Sequence, residues 1–399
     1  MQSVPIAEHQ LNPEIPGMFT DPGYFDALSR LRAESPVHAY APNSWMVTRY
    51  DDVRQMSRDP ERYCSGRGVL MNDPVRQGME LPGSILHMDP PEHAAWRALA
   101  SRWFTPRAMG RLEDRVRVIT AGLLDAVDHG AIDLVEALAA PLPVLVIAEL
   151  LGVDDRHHAD FVRWSDGVID GADAEDASAI EAVGELLMFL NGEVLRRRDE
   201  PSDDLLSTLV ASEVGGRGLA DDEIVMYCLS LLVAGNETSR HLISGGLAAL
   251  HDHPDQRAAL AADPEMVSGA VEECLRWVTP IQAFARTATT DVNLGGHDLP
   301  AGAWLVMMYA SANRDTAAFG PTAGRFDITR AVNQTHLAFG FGEHLCLGAA
   351  LARLEARVFF GEFLARDPDF PLVGERTWTS STLVRGYRNL PAVLPAPSG

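Results

Sequence analysis

Phe339-Gly340-Phe341-Gly342-Glu343-His344-Leu345-Cys346-Leu347-Gly348 is the segment from which the rest of the chain can be understood. Glycines at alternate positions 340 and 342 let the backbone approach something flat and close. The run that follows, Ala349-Ala350-Leu351-Ala352-Arg353-Leu354-Glu355, consists of strong helix formers, which puts Cys346 at a helix N-terminus. Unpaired N–H groups and the helix dipole there favour a thiolate, the form of cysteine that ligates a soft metal or attacks as a nucleophile. A lone cysteine beside a glycine turn is most often a buried apolar side chain. Here the glycine spacing and His344 weigh toward chemistry, and the context of a nucleophile, a base with its orienting Asn or Asp, is missing.

Upstream, no proline interrupts a helical pattern from Asp221 to about His251, and it opens with Asp221, Asp222 and Glu223, suited to the positive end of a helix dipole. Between Ile224 and Ala234 it is apolar on every side, which predicts burial in the middle of the molecule. The polar island Asn236-Glu237-Thr238-Ser239 then sets a carboxylate and a hydroxyl where the helix should still be interior, and buried polar groups need partners or a purpose. Three- and four-residue apolar steps predict further helices over 24–34, 91–104, 111–128, 144–151, 179–198 and 351–364. Short strands are predicted at 45–48, 283–287, 292–294 and 304–308, and the region 314–336, rich in Gly, Pro, Asn, Asp and Thr, reads as an ordered loop. The fold class is therefore mainly α with small β-sheets, a large helical body beside a minor β-rich region. No linker or repeat marks a seam, so one domain is expected over 1–399, with 1–20 as an extended N-terminal segment.

Composition narrows the partners. Among 399 residues, 56 acids against 33 basic residues give a formal charge of −23, which argues against nucleic acid and anionic membranes. Every basic residue is arginine, which removes Schiff-base chemistry and the phosphate-binding lysine of nucleotide-hydrolysing loops. Cys64, Cys228, Cys274 and Cys346 are too scattered for a zinc knuckle and too few for a disulfide framework, so a cytoplasmic location fits best. Neither a secretory signal nor an anchor helix is expected, because the N-terminus has no arginine before Arg30 and no apolar core.

The pattern Phe-Gly-x-Gly-x-His-x-Cys-x-Gly resembles the haem-thiolate loop of the cytochrome P450 family, and other segments agree in the family's order. Ala234-Gly235-Asn236-Glu237-Thr238 resembles its oxygen-activation motif and Glu273-Cys274-Leu275-Arg276 its Glu-x-x-Arg helix. Ala312-Asn313-Arg314-Asp315 and Arg325-Phe326-Asp327 resemble the segments leading into the haem loop, and the segment from His87 to Arg97 is similar to the early helix over the haem. The resemblance runs from roughly residue 21 to 394 and points to a bacterial member without an anchor.

The resemblance implies haem b (iron protoporphyrin IX) with Cys346 as the iron ligand, Phe339, Gly340 and Gly348 shaping its loop, and His93, Arg97, Arg286 and His344 meeting the propionates. Arginine suits that role through charge-assisted, bidentate bonds to carboxylates. It implies a buried network of Glu273, Arg276 and Arg325 that holds the loop in place. Gly235 and Ala234 would leave room for a diatomic ligand, with Thr238 and Glu237 relaying protons to O2. The implied reaction inserts one oxygen atom into a C–H bond and reduces the other to water. The substrate would be a medium or large hydrophobic molecule of terpenoid, steroid or polyketide type, in a pocket formed by Met71, Met79, Leu81, Leu231, Val278, Ile281 and Leu383. No dinucleotide, flavin or ferredoxin motif is present, so NAD(P)H would act only indirectly, through a separate ferredoxin and ferredoxin reductase. Arg102, Arg107, Arg111, Arg115, Arg117, Arg353 and Arg357 could form their docking surface on a monomer. Two other readings are a peroxide-driven peroxygenase and a haem-binding sensor or carrier without turnover.

Overall fold

The computed structural model describes residues 11–81, 83–127, 130–170, 177–331 and 334–394. The expected extended segment 1–20 lies partly outside these residues. In its described part Leu11 and Phe19 are buried and Met18–Thr20 forms a 3-10 turn. In chain order the helices are α1 (Tyr24–Glu34), α2 (Tyr50–Ser57), α3 (Glu92–Ser101), α4 (Pro106–Asp125), α5 (Pro141–Leu151), α6 (His158–Asp170), α7 (Ala177–Asp199), α8 (Leu205–Val210), α9 (Asp221–Asp252), α10 (Pro254–Ala262), α11 (Val267–Val278), α12 (Tyr309–Ala312), α13 (Thr316–Phe319) and α14 (Ala349–Arg366).

Local chemistry sets their ends. The Thr105 hydroxyl accepts from the Ala108 N–H and Pro106 occupies the first turn, so α4 starts five residues before its apolar period becomes regular. Pro141 likewise starts α5 ahead of the predicted 144. Helix α9 runs for 32 residues, with the Glu223 carboxylate accepting from the Ala220 N–H at its start and Pro254 just beyond its end.

A five-stranded sheet lies beside this body in the order Val37–Ala41, Ser44–Val47, Trp304–Met308, Ala283–Ala288, Tyr63–Cys64. Trp304–Met308 runs parallel to Ser44–Val47, and the other pairs are antiparallel. Being central, Trp304–Met308 is buried at every position, and its sequence is accordingly an unbroken apolar run. The largest core cluster joins α3, α4, α5, α9, α11 and α14, while two smaller ones pack on the sheet. Among the described residues no helix is long and apolar enough to cross a membrane.

Helix α9 is the axis of the helical body but is not buried on every side as expected. Met226 and Val233 are 40% and 37% exposed, although Leu232 next to them is 1% exposed. With Ser230, Ala234, Glu237 and Thr238 these residues fall at three- and four-residue steps, so one stripe of the central helix borders an internal cleft.

Candidate active site

Cys346 lies between the short 3-10 turn Gly342–His344 and Gly348, the N-cap of α14. Its N–H donates to the Phe339 carbonyl at 2.9 Å, closing the loop on itself. Gly340 and Gly342 both take positive φ, 69° and 75°. At Gly342 a side chain would also run into the Ser57 carbonyl at the end of α2, so glycine is required there both by conformation and by close approach. The residue is exposed to the cleft. The surrounding protein pushes the Cys346 pKa up by desolvation, with the Gly348 N–H, Arg97 and Arg353 as partial offsets.

His93, Arg97, Arg286 and His344 converge beside the loop. The His93 and His344 rings are 4.1 Å apart. The His344 pKa is pushed down to about 3 by burial and by the positive charge of Arg286, His93 and Arg97. The Met88 carbonyl accepts from that ring, whose Nε2 lies 3.1 Å from the Ser65 hydroxyl. Arg286, 6% exposed on Ala283–Ala288, bonds only the Ala285 carbonyl, at 2.7 Å. Neither Arg97 nor Arg286 has a carboxylate partner among the described residues. His93, Glu343 and His344 offer ligand atoms within 4.8 Å of one another, but a field that repels a proton from His344 also repels a metal cation. The cluster suits anions. Arg97 also connects the two halves of the site, since its charge acts on both Cys346 and Tyr227 of α9, and the Tyr227 hydroxyl donates to the Trp96 carbonyl at 3.2 Å.

On α9 the Thr238 hydroxyl donates to the Ala234 carbonyl at 2.7 Å, the back-bonded of the two alternatives. Glu237 Oε1 lies 3.7 Å from Nε2 of His241, a 1%-exposed imidazole whose nitrogens have no hydrogen-bond partner. His241 packs where Gly386 leaves no side chain. A Cβ at Gly235 would meet Ile147 of α5 at 3.1 Å, so its smallness also serves helix contact, and Ala234 beside it is exposed to the cleft.

The expected network exists with one exchanged member. Arg276 uses all five N–H donors: two to the Glu273 carboxylate (2.6 and 2.7 Å) and one each to the carbonyls of Asn313, Ala323 and Arg325. Arg325 contributes only its carbonyl, with its side chain exposed. The second guanidinium on Glu273 is that of Arg330, at 3.1 Å. Asn313 passes the constraint onward, because its side-chain carbonyl accepts from the Leu337 N–H at 2.6 Å, just before the cysteine loop.

Leu81, Leu231, Ile281 and Leu383 are half-buried, as a pocket lining requires, and the 281 and 383 segments are joined by an Ile281–Val384 bridge. Met79 is 57% exposed. Two pocket assignments are corrected. Met71 belongs to the core cluster beneath the sheet, with Leu11 and Phe19, and Val278 fills the notch left by Gly245, locking α11 to α9. The proposed docking arginines are largely neutralised. Arg115 meets Glu149 and Asp155, Arg117 and Arg357 meet Glu113, and Arg353 meets Glu272, leaving Arg102, Arg107 and Arg111 exposed without a carboxylate among the described residues.

Sequence reasoning missed Arg330, His241 and the Ser65 hydroxyl. Arg330 had the right residue type in the right segment, whereas nothing in the sequence pairs position 65 with 344.

A thiol in a glycine loop, unmatched arginines beside it and a threonine on a cleft-facing helix stripe define a site built for a planar anionic cofactor. The family model described as Cytochrome P450 matches residues 173–366. The chain is 42% identical to a vitamin D(3) 25-hydroxylase of Pseudonocardia autotrophica, over 92% of this chain and 93% of that one. It is 37% identical to a steroid C26-monooxygenase of Mycolicibacterium smegmatis, over 95% and 94%. The structure of cytochrome P450 CYP109Q5 from Chondromyces apiculatus superposes with a TM-score of 0.86 at 36% identity, covering 98% and 99% of the two chains. The chain belongs to the cytochrome P450 family and is a monooxygenase.

The family implies haem and dioxygen. The residues present fit them: one reachable sulfur, two buried or half-buried arginines without carboxylates where propionates need charge, and a helix stripe whose smallest side chain is Ala234.

Proposed function

We propose that this enzyme hydroxylates a C–H bond of a large apolar molecule of steroid type, with haem b as cofactor and electrons delivered by a separate ferredoxin and its reductase. The observation that carries the reading is the opening of an otherwise buried α9 at Val233, Ala234 and Thr238. The bound haem supplies the iron that activates dioxygen, held by the Cys346 thiolate, whose electron donation favours O–O cleavage. Arg97, Arg286 and His93 fix its propionates and so its plane.

Because the Thr238 hydroxyl gives its proton to Ala234, it presents lone pairs to the cleft. Its part is to accept a hydrogen bond from a protonated oxygen there and hold it in place. Glu237, 20% exposed, is the group able to exchange protons with solvent and pass them inward. Leu81, Leu231, Ile281 and Leu383 keep water from the reacting carbon and orient an apolar skeleton. Similarity to a vitamin D(3) hydroxylase and a steroid monooxygenase supports a sterol-sized substrate. Three buried unpaired cysteines besides Cys346 suit a reducing cytoplasm.

The test is turnover of a steroid panel under 18O2 with NADPH, a ferredoxin and its reductase. The expected product carries one labelled oxygen. Turnover supported by hydrogen peroxide alone, with none from the electron-transfer chain, would overturn the reading in favour of a peroxygenase.

A further inference from the structure

A second cleft, of about 410 Å³, opens between α1, the C-terminal half of α9, α11 and the segment 378–387. Arg32, Arg314 and Arg385 line it, together with Phe25, Trp277 and Trp378. None of these three arginines pairs with a carboxylate among the described residues, in a chain where acids outnumber arginines 56 to 33. Arg314 is 6% exposed and meets only neutral partners: the Trp277 carbonyl at 2.7 Å, the Ala310 carbonyl at 3.5 Å, and the faces of Phe25 and Trp277 at 3.7 and 4.5 Å. Arg385 stacks on Trp378 at 4.2 Å and on the same Phe25 at 5.1 Å, and only its Nε is bonded, to the Phe19 carbonyl. Arg32 reaches the Ser311 hydroxyl and carbonyl through a single nitrogen, Nη1.

Burial and the like charges of Arg385, Arg276 and Arg32 hold the Arg314 pKa well below its ordinary value. The same three cleft arginines act on Tyr24, which is fully buried and whose hydroxyl has no hydrogen-bond partner. Two acids stand at the cleft: Asp252 is held by Arg376 at 2.9 and 3.0 Å, and Asp26 is exposed. Arg314 is buried without a counter-charge, which is unfavourable; Arg32, on which the Asp315 carboxylate acts, and Arg385 are half-buried beside it, and three guanidiniums at one cavity favour an anion.

We propose that this cleft is a binding site, separate from the haem site, for a small amphipathic anion, with a carboxylate or phosphate on Arg32, Arg314 and Arg385 and a flat apolar body beside Phe25 and Trp277. The guanidiniums supply charge-assisted bonds, while Trp378, stacked between Arg385 at 4.2 Å and Tyr387 at 4.0 Å, holds Arg385 in place.

The experiment is calorimetric titration of the haem-loaded enzyme with 2-naphthyl phosphate, 2-naphthoate and neutral 2-naphthol, repeated with Arg32→Gln and Arg385→Gln. At least one anion should bind saturably with a dissociation constant below about 1 mM, and whichever is tighter names the headgroup. The naphthol should bind at least about tenfold more weakly, and each variant should weaken the anion about tenfold while the haem spectrum stays unchanged. The proposal fails if neither anion saturates, if both variants bind as the parent does, or if an azole coordinated in the haem pocket displaces the anion.

Discussion

Single residues carry the chemistry, and their types were easier to read than their partners. Cys346 and Thr238 could be picked out because a thiol in a glycine loop and a hydroxyl in a buried helix each break the local pattern, whereas Arg286 came only from the family resemblance. What each one touches depends on contacts across the fold, which spacing does not record. Gly235 packs against Ile147, and Met71 faces the sheet. Glu355 illustrates the same limit. Four residues beyond Leu351 it looks like a solvated helix acid, but it is 2% exposed, and burial pushes its pKa up to about 8, with the Ser239 hydroxyl as its counterweight. The folded state thus keeps a proton that the unfolded chain gives up near its ordinary value of 4.5, so this group's contribution to stability falls as pH rises from about 4.5 to 8 and is flat above. Glu355→Gln should remove that slope. Chemical denaturation of the haem-loaded parent and variant should show the variant gaining on the order of 2–4 kcal/mol over the parent between pH 5 and pH 8. Equal pH profiles would show that Glu355 is ionised in the fold.

At the scale of elements, the long amphipathic or wholly apolar segments were legible. Helices α1, α9 and α14 and the strands 292–294 and 304–308 fall within two residues of their predicted bounds. Helices α2, α6 and α10 were not predicted from periodicity. The Glu-x-x-Arg turn of α11 was found, but the partner segment at 325–330 offers two arginines five residues apart, and only the folded loop decides between them. Arg330→Ala leaves the buried Glu273 with one cation fewer and should cost about 1–3 kcal/mol and loosen haem retention. Arg325→Ala, which removes an exposed side chain, should stay within about 0.5 kcal/mol. Paired thermal melts and haem-transfer rates check this, and the opposite ranking would restore Arg325 to the network.

For the whole molecule, composition gave the acidic balance but not where the positive surface lies. Of the arginines counted toward a docking face, Arg115, Arg117, Arg353 and Arg357 are tied to acids, while Arg102, Arg107 and Arg111 are exposed without a carboxylate among the described residues. Other arginines unmatched by carboxylates line the haem site and the second cleft, both bordered by α9. The account depends on Cys346 holding haem. The direct measurement is the absorption spectrum of the reduced, CO-bound protein beside its Cys346→Ser variant. Thiolate ligation predicts a Soret band strongly red-shifted from that of a histidine-ligated haem in the parent, and loss of that band in the variant. A parent spectrum of the histidine type, or a variant spectrum identical to the parent's, would contradict it.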